Sequence, residues 1–250
     1  GSTVRNATTG VTAGDSSGAW RVNATTVQNT TTGIAAANAS GDWAVETVTL
    51  TDAETAIDAA STSGAWAVSD ATVTDATTGV SAAGATGTWQ VAASTVTNAT
   101  TGVDAAGTSG AWTLEETTFT GPTAATGSVT AVAAGGSTGD WSVRGTTITD
   151  VSSTAGSVTA VATTDGTGSS GNWSVLASTI SGLESTTGDV RAIDARDATG
   201  TWTVGGPEAT GTDTTGLSGE MRIADLQSDA AGGSAGAVDA TGATGGWTVG

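Results

Sequence analysis

The chain contains no lysine, histidine, cysteine or tyrosine, and it has one phenylalanine, one methionine and two prolines in 250 residues. Without cysteine there is no disulfide framework, no thiolate metal site and no thiol nucleophile. Without histidine and lysine, the side chains most often used as general bases near neutral pH are missing. Positive charge is also scarce: six arginines stand against 24 acidic residues, a net charge of -18. A surface of that sign repels nucleic acid and anionic membranes. No apolar run approaches the roughly 18 residues that a spanning helix needs, so no membrane insertion is expected. No basic segment followed by an apolar one opens the chain, so a secreted protein would be present here in mature form.

What is abundant is repetition. Trp20, Trp43, Trp66, Trp89 and Trp112 follow one another at intervals of 23 residues, and Trp141, Trp173, Trp202 and Trp247 continue at 29, 32, 29 and 45. A fixed period of about 20–50 residues marks a solenoid or array, in which each repeat buries its apolar face only against its neighbours. The expected unit is therefore one elongated domain over residues 1–250. Regular coils should occupy 1–112 and longer ones 113–250.

Each period holds three short alternating runs. Tryptophan is followed two places on by Val22, Val45, Val68, Val91 or Leu114. Six to eight places on come Thr49-Leu50-Thr51, Thr72-Val73-Thr74, Thr95-Val96-Thr97, Thr118-Phe119-Thr120 and Thr147-Ile148-Thr149. Fourteen to sixteen places on come Ile34-Ala-Ala36, Ile57-Asp-Ala59, Val80-Ser-Ala82 and Val103-Asp-Ala105. Period-two alternation indicates strands with one buried face, and abundant Thr, Val and Gly without a 3.6-residue apolar period excludes helices. Three strands and three corners per period describe an all-β, three-sided parallel β-solenoid of about nine coils. Equivalent residues should stack about 4.8 Å apart, forming a core tryptophan ladder through all nine tryptophans. In these strand patterns the chain resembles right-handed parallel β-helix proteins of the pectate-lyase-like class. The resemblance is to an architecture and implies a right-handed coil, but it brings no catalytic motif. The lysine-free, acidic composition resembles that of proteins from extreme halophiles, for which molar salt shortens the Debye length to about 3 Å and relieves self-repulsion.

Beyond Trp112 the coils lengthen. Gly127-Ser-Val129, Gly156-Ser-Val158, Gly188-Asp-Val190 and Gly219-Glu-Met221 share a pattern that suggests equivalent corner insertions. In the last period, 226–236 reads as a protruding loop, although two coils lacking one tryptophan would also fill 45 residues.

The two ends fit one coil. Trp247-Thr-Val249-Gly250 supplies the start of a period, and Gly1-Ser2-Thr3-Val4, followed by Val11 and Trp20, supplies the rest in register if a second copy is placed after Gly250. Uncapped solenoid ends expose strand edges and core. An interface made by two different ends does not close on itself and generates filaments. The expected interface residues are Gly1, Ser2, Thr3, Val4, Val11, Trp20, Val238, Trp247, Val249 and Gly250, and the expected partner is the protein itself.

All six asparagines lie in Asn-x-Ser/Thr: Asn6, Asn23, Asn29, Asn38, Asn98 and Asn172. That pattern suggests N-glycosylation of an extracellular or cell-surface protein. For Asn6, Asn29 and Asn98 a structural role competes, since they share a repeat position with Asp52, Asp75 and Asp150, where Asn and Asp both suit a corner. The outward Thr-x-Thr rows look like the face of antifreeze solenoids, which leaves a monomeric adhesin or ice-binding rod as the alternative. Asp194 and Asp197, or Asp213, Asp225 and Asp229, could supply glycosidase carboxylates. Isolated acids in an acidic chain more often serve as solvated surface, and no catalytic, metal or cofactor site is expected.

Overall fold

In the computed structural model of the chain, residues 1–164, 168–205, 222–223, 226–228 and 234–249 are described. The alternating runs all form strands, and no helix occurs among the described residues. Each tryptophan opens a short strand, of four residues in Trp20–Asn23, Trp43–Glu46 and Trp112–Glu115 and of three in Trp247–Val249. These segments pair in sequence order as one nine-stranded sheet. The other two runs of each coil belong to a 16-stranded sheet. In the early coils they are continuous strands, Ser2–Thr12, Thr25–Ala35, Thr49–Asp58 and Thr72–Ser81. All pairing between these strands is parallel, and the fold is an all-β parallel solenoid.

Corners are made by single residues in the left-handed region. Within the long strands the bend falls at Asn6, Asn29, Asp52 and Asp75, with φ of 54–55°. A second column of bends contains Asp15, Asn38 and Ser61 and continues as Gly84 and Gly107. Asn, Asp and Gly are the residues that tolerate this conformation at least cost. A third column, just after the tryptophan strands, contains Asp70 but also Ala24, Thr47, Ala93 and Glu116, and these four are of residue types that do not announce a turn. Three bends per coil produce three sides.

The register turns each sequence column into a stack. Trp20 pairs with Trp43, Trp43 with Trp66, and so on to Trp202 with Trp247. From Trp20 to Trp202 neighbouring rings lie 4.7–4.9 Å apart and within 5° of parallel. Aromatic pairs left to themselves prefer offset or edge-to-face contact. The strand spacing imposes the stack here, and burial of each ring, about 4–6 kcal/mol at 25 cal/mol per Å², outweighs the lost preference. Aliphatic columns pass through Val22, Val27 and Ile34, and together with alanines they fill the narrow core. Close approach between coils also needs glycine: a Cβ on Gly41, Gly64, Gly87 or Gly110 would overlap the carbonyl of the equivalent glycine one coil below.

The coil that follows Trp112 keeps the same columns and grows at one corner. Thr101 pairs with Thr130, and Thr97 with Thr120, so the extra residues of that coil lie between Thr120 and Thr130. In the last coil Arg222–Ile223 pairs with Thr179–Ile180, Leu226–Ser228 with Leu183–Ser185, and Ala235–Asp239 with Val190–Asp194. Two expectations are thereby corrected. The segment ending in Arg222-Ile223 is not equivalent to those at Val129, Val158 and Val190, and Leu226–Ser228 is a paired strand rather than a loop. Trp202 pairs directly with Trp247, so no tryptophan-free coil lies between them.

Candidate subunit interface at the two ends

Every core column has two terminal members, and the structure places most of the expected interface residues among them. At the N-terminal end stand Val4, Val11 and Trp20, all partly buried against the core, with Val22 just within it. At the C-terminal end the same four columns finish in Ile223, Val238, Trp247 and Val249. Inside the solenoid the tryptophans from Trp43 to Trp202 are at most 3% exposed, whereas Trp247 and Val249 are 52% and 50% exposed. These two are the exposed large hydrophobic residues among those described. Val11 and Val238 belong to one column, and Val4 and Ile223 to another; Ile223 was not anticipated, because the last coil was read out of register.

The edges match as well. Ser2–Thr12 pairs only with Thr25–Ala35, and Trp20–Asn23 only with Trp43–Glu46, leaving one edge of each open. At the far end Trp247–Val249 pairs only with Trp202–Gly205. Gly1, Ser2 and Thr3 are exposed, and the Ser2 N–H donates to the Ala24 carbonyl at 3.2 Å. Gly1 sits under that same carbonyl, in line with the third bend column. Gly250 lies outside the described residues. Gly18 begins the close-packed glycine column, and a Cβ there would meet nothing within 4 Å.

An Arg-Asp cluster ties down the last coil, and sequence reasoning missed it. Arg191 Nε donates to Asp239 Oδ2 at 2.9 Å, and its Nη2 donates to Asp189 Oδ2 at 2.7 Å. Asp189 also accepts from the Ser234 N–H at 3.0 Å, so Asp189 and Arg191 both hold the strand Ala235–Asp239. That backbone bond, then Arg191, holds the Asp189 carboxyl below its ordinary value. Burial pushes Asp239 up, but bonds from the Thr241 hydroxyl and N–H and from Arg191 outweigh it and leave that carboxyl lowered. The only signal in the sequence was arginine at a place where earlier coils carry Thr130 and Thr159.

No protein family, curated protein or solved structure matches this chain. The remaining sequence candidates are placed as follows. Asp194 is buried and bound by Arg196 through two bonds of 2.8 and 2.6 Å, which raises the arginine's pKa, and Asp197 is a left-handed corner residue. Asp213, Asp225 and Asp229 lie outside the described residues. Among the described residues no three acidic side chains are grouped to hold a metal. All six asparagines are exposed. Asn29 Nδ2 donates to Asn6 Oδ1 at 2.7 Å and Asn98 Nδ2 to Asp75 Oδ1 at 3.0 Å, forming a corner ladder of the kind weighed against glycosylation. Asn23 donates to Glu46, and Asn172 Oδ1 accepts from the Thr201 N–H. Asn38 is an exposed corner residue with φ of 60°.

Proposed function

We propose that this chain is the structural subunit of an extracellular filament that polymerises head to tail. The observation that carries the reading is that both ends present the same four columns: Val4, Val11, Trp20 and Val22 at one, Ile223, Val238, Trp247 and Val249 at the other. A second copy set on the exposed Trp247–Val249 strand with its own Trp20–Asn23 strand continues every stack. Main-chain hydrogen bonds supply affinity, and the side-chain columns supply register. With nine tryptophan rungs per subunit, the axial rise is about 43 Å at 4.8 Å per rung. The partner is the protein itself, and the role is mechanical, without catalysis, cofactor, nucleic acid or membrane insertion. N-linked glycans on some of the six sequons fit an exported location. The coil belongs in this reading with right-handed, pectate-lyase-like helices, since parallel strands joined by crossovers are almost always right-handed. Its lysine-free, acidic composition resembles that of proteins from extreme halophiles.

Light scattering and negative-stain microscopy of the purified chain test the assembly. Thin fibres should form, accompanied by a blue shift of tryptophan emission as Trp247 becomes covered. Gly18→Ala separates assembly from folding. Its methyl group is accommodated in the single chain but would overlap the carbonyl of Gly245 in the preceding copy, as Gly41 overlaps Gly18. The variant should fold and stay dispersed. Wild-type rods of 23.7 kDa that never associate, or Gly18→Ala fibres indistinguishable from wild type, would overturn the reading. A monomeric adhesin or ice-binding rod is favoured by the Thr-x-Thr rows, which stay in register from Thr49 and Thr51 to Thr147 and Thr149; thermal hysteresis by dispersed rods would select its ice-binding form.

A further inference from the structure

The three outward faces differ in charge. Strand positions on the tryptophan side include the carboxylates Glu46 and Glu115 interspersed with Arg21 and Arg144, and those on the third side include Asp58 and Asp104. On the side that carries the Thr-x-Thr rows, no acidic residue occupies either outward column from Thr3 to Ser181. Threonine fills nearly all of it, and Arg5 is the one cation in that span. Acids return at the bounding corners, at Asp70 and Glu116 on one edge and Asp52, Asp75 and Asp150 on the other. In a chain of net charge -18, this is the face on which two copies approach without pressing carboxylates together.

Resting on the filament reading above, we propose that this face docks on the same face of a second copy, so that filaments associate in pairs. A threonine hydroxyl both donates and accepts, so the array is complementary to itself, as a two-fold contact requires. Faces packed about 10 Å apart leave the corner acids near the rim, where salt with a Debye length of 8 Å or less screens them. Eight coils of 4.8 Å and a face about 10 Å wide give roughly 400 Å² per copy, or about 800 Å² in all. That is below the roughly 1,200 Å² of a stable pair. One subunit therefore does not hold another sideways, but a filament repeats the contact in every subunit and gains by multivalency.

The test is filament width by negative stain in about 0.5 M NaCl. Wild type should show paired filaments. Thr74→Asp combined with Thr120→Asp should give single filaments of unchanged length, with folding checked by tryptophan emission. The control, Thr78→Asp combined with Thr130→Asp on the third face, should leave pairs intact. Wild-type filaments that stay single, pairs that survive Thr74→Asp/Thr120→Asp, or equal loss in the control would each sink the proposal while leaving head-to-tail growth standing. Thermal hysteresis from unpaired filaments would assign the face to ice instead. If no filaments form at all, the end-to-end reading fails and this one falls with it.

Discussion

Trp112 and Trp247 occupy the same column and the same strand position, yet one is 2% and the other 52% exposed. Nothing in their local sequence distinguishes them, since Trp-Thr-Leu and Trp-Thr-Val are equivalent. The difference is the presence of a coil on the far side. In a molecule whose contacts run between adjacent repeats, a residue's contribution is set by its neighbours along the axis.

Substitutions at matched interior and end positions sharpen this contrast. The widest gap is expected in the glycine column. Gly110→Ala forces a methyl group onto the Gly87 carbonyl and should cost on the order of 4–5 kcal/mol in urea unfolding, while Gly18→Ala in the dispersed chain should cost under about 0.5 kcal/mol. Equal losses would mean that the coils are not held at fixed spacing. Next, Trp112→Ala should cost about 3–5 kcal/mol. Trp247→Ala should cost about 1 kcal/mol or less in the unassembled chain, because half of the ring is already in water. Light scattering should nevertheless show that Trp247→Ala abolishes assembly.

Acid should act on the last coil before the interior. Asp189 and Asp239 have folded-state pKa values below the ordinary one. Their contribution is complete above the unfolded value near pH 4 and is lost as pH falls through the lowered one. Hydrogen exchange at Ala235–Asp239 should therefore accelerate below about pH 4 while amides around Trp89 stay protected, and Asp239→Asn should remove part of that response. The smallest effect is expected at Thr108, whose hydroxyl accepts from Trp112 Nε1 at 3.1 Å. Thr108→Ala should cost about 1 kcal/mol in the same denaturant titration, because it leaves that donor unpaired. Trp89, which stands above Ala85 and has no side-chain partner, already lives without the bond.

The strands and core columns were legible because alternation and spacing are backbone geometry written directly in residue type. Trp, Val and Thr recur where the parallel register must place them. The Asn/Asp corner was legible for the same reason. The corner at Ala24, Thr47 and Glu116 was not, since stacking above and below holds residues there that would not choose a positive φ alone. The last coil was misaligned because Met-Arg-Ile resembles Val-Arg-Ala-Ile in side-chain character, and only pairing to Thr179–Ile180 distinguishes the two. At the candidate interface, Val4, Val11, Val238 and Val249 were named by counting offsets and do end their core columns, whereas Ile223 and the Arg191 cluster were hidden by that mistaken alignment.

Extra residues enter at a bend, where Thr123–Ala124, Val151–Ser153 and Leu183–Ser185 stack on one another as strand, and the chain then returns to the same columns, so the pitch is unchanged by the added length. Sequence length at those bends can change without disturbing the neighbour above or below. A polymer of such subunits would display its bulkier half once per repeat, like marks on a rule, at an interval set by hydrogen-bonded backbone alone.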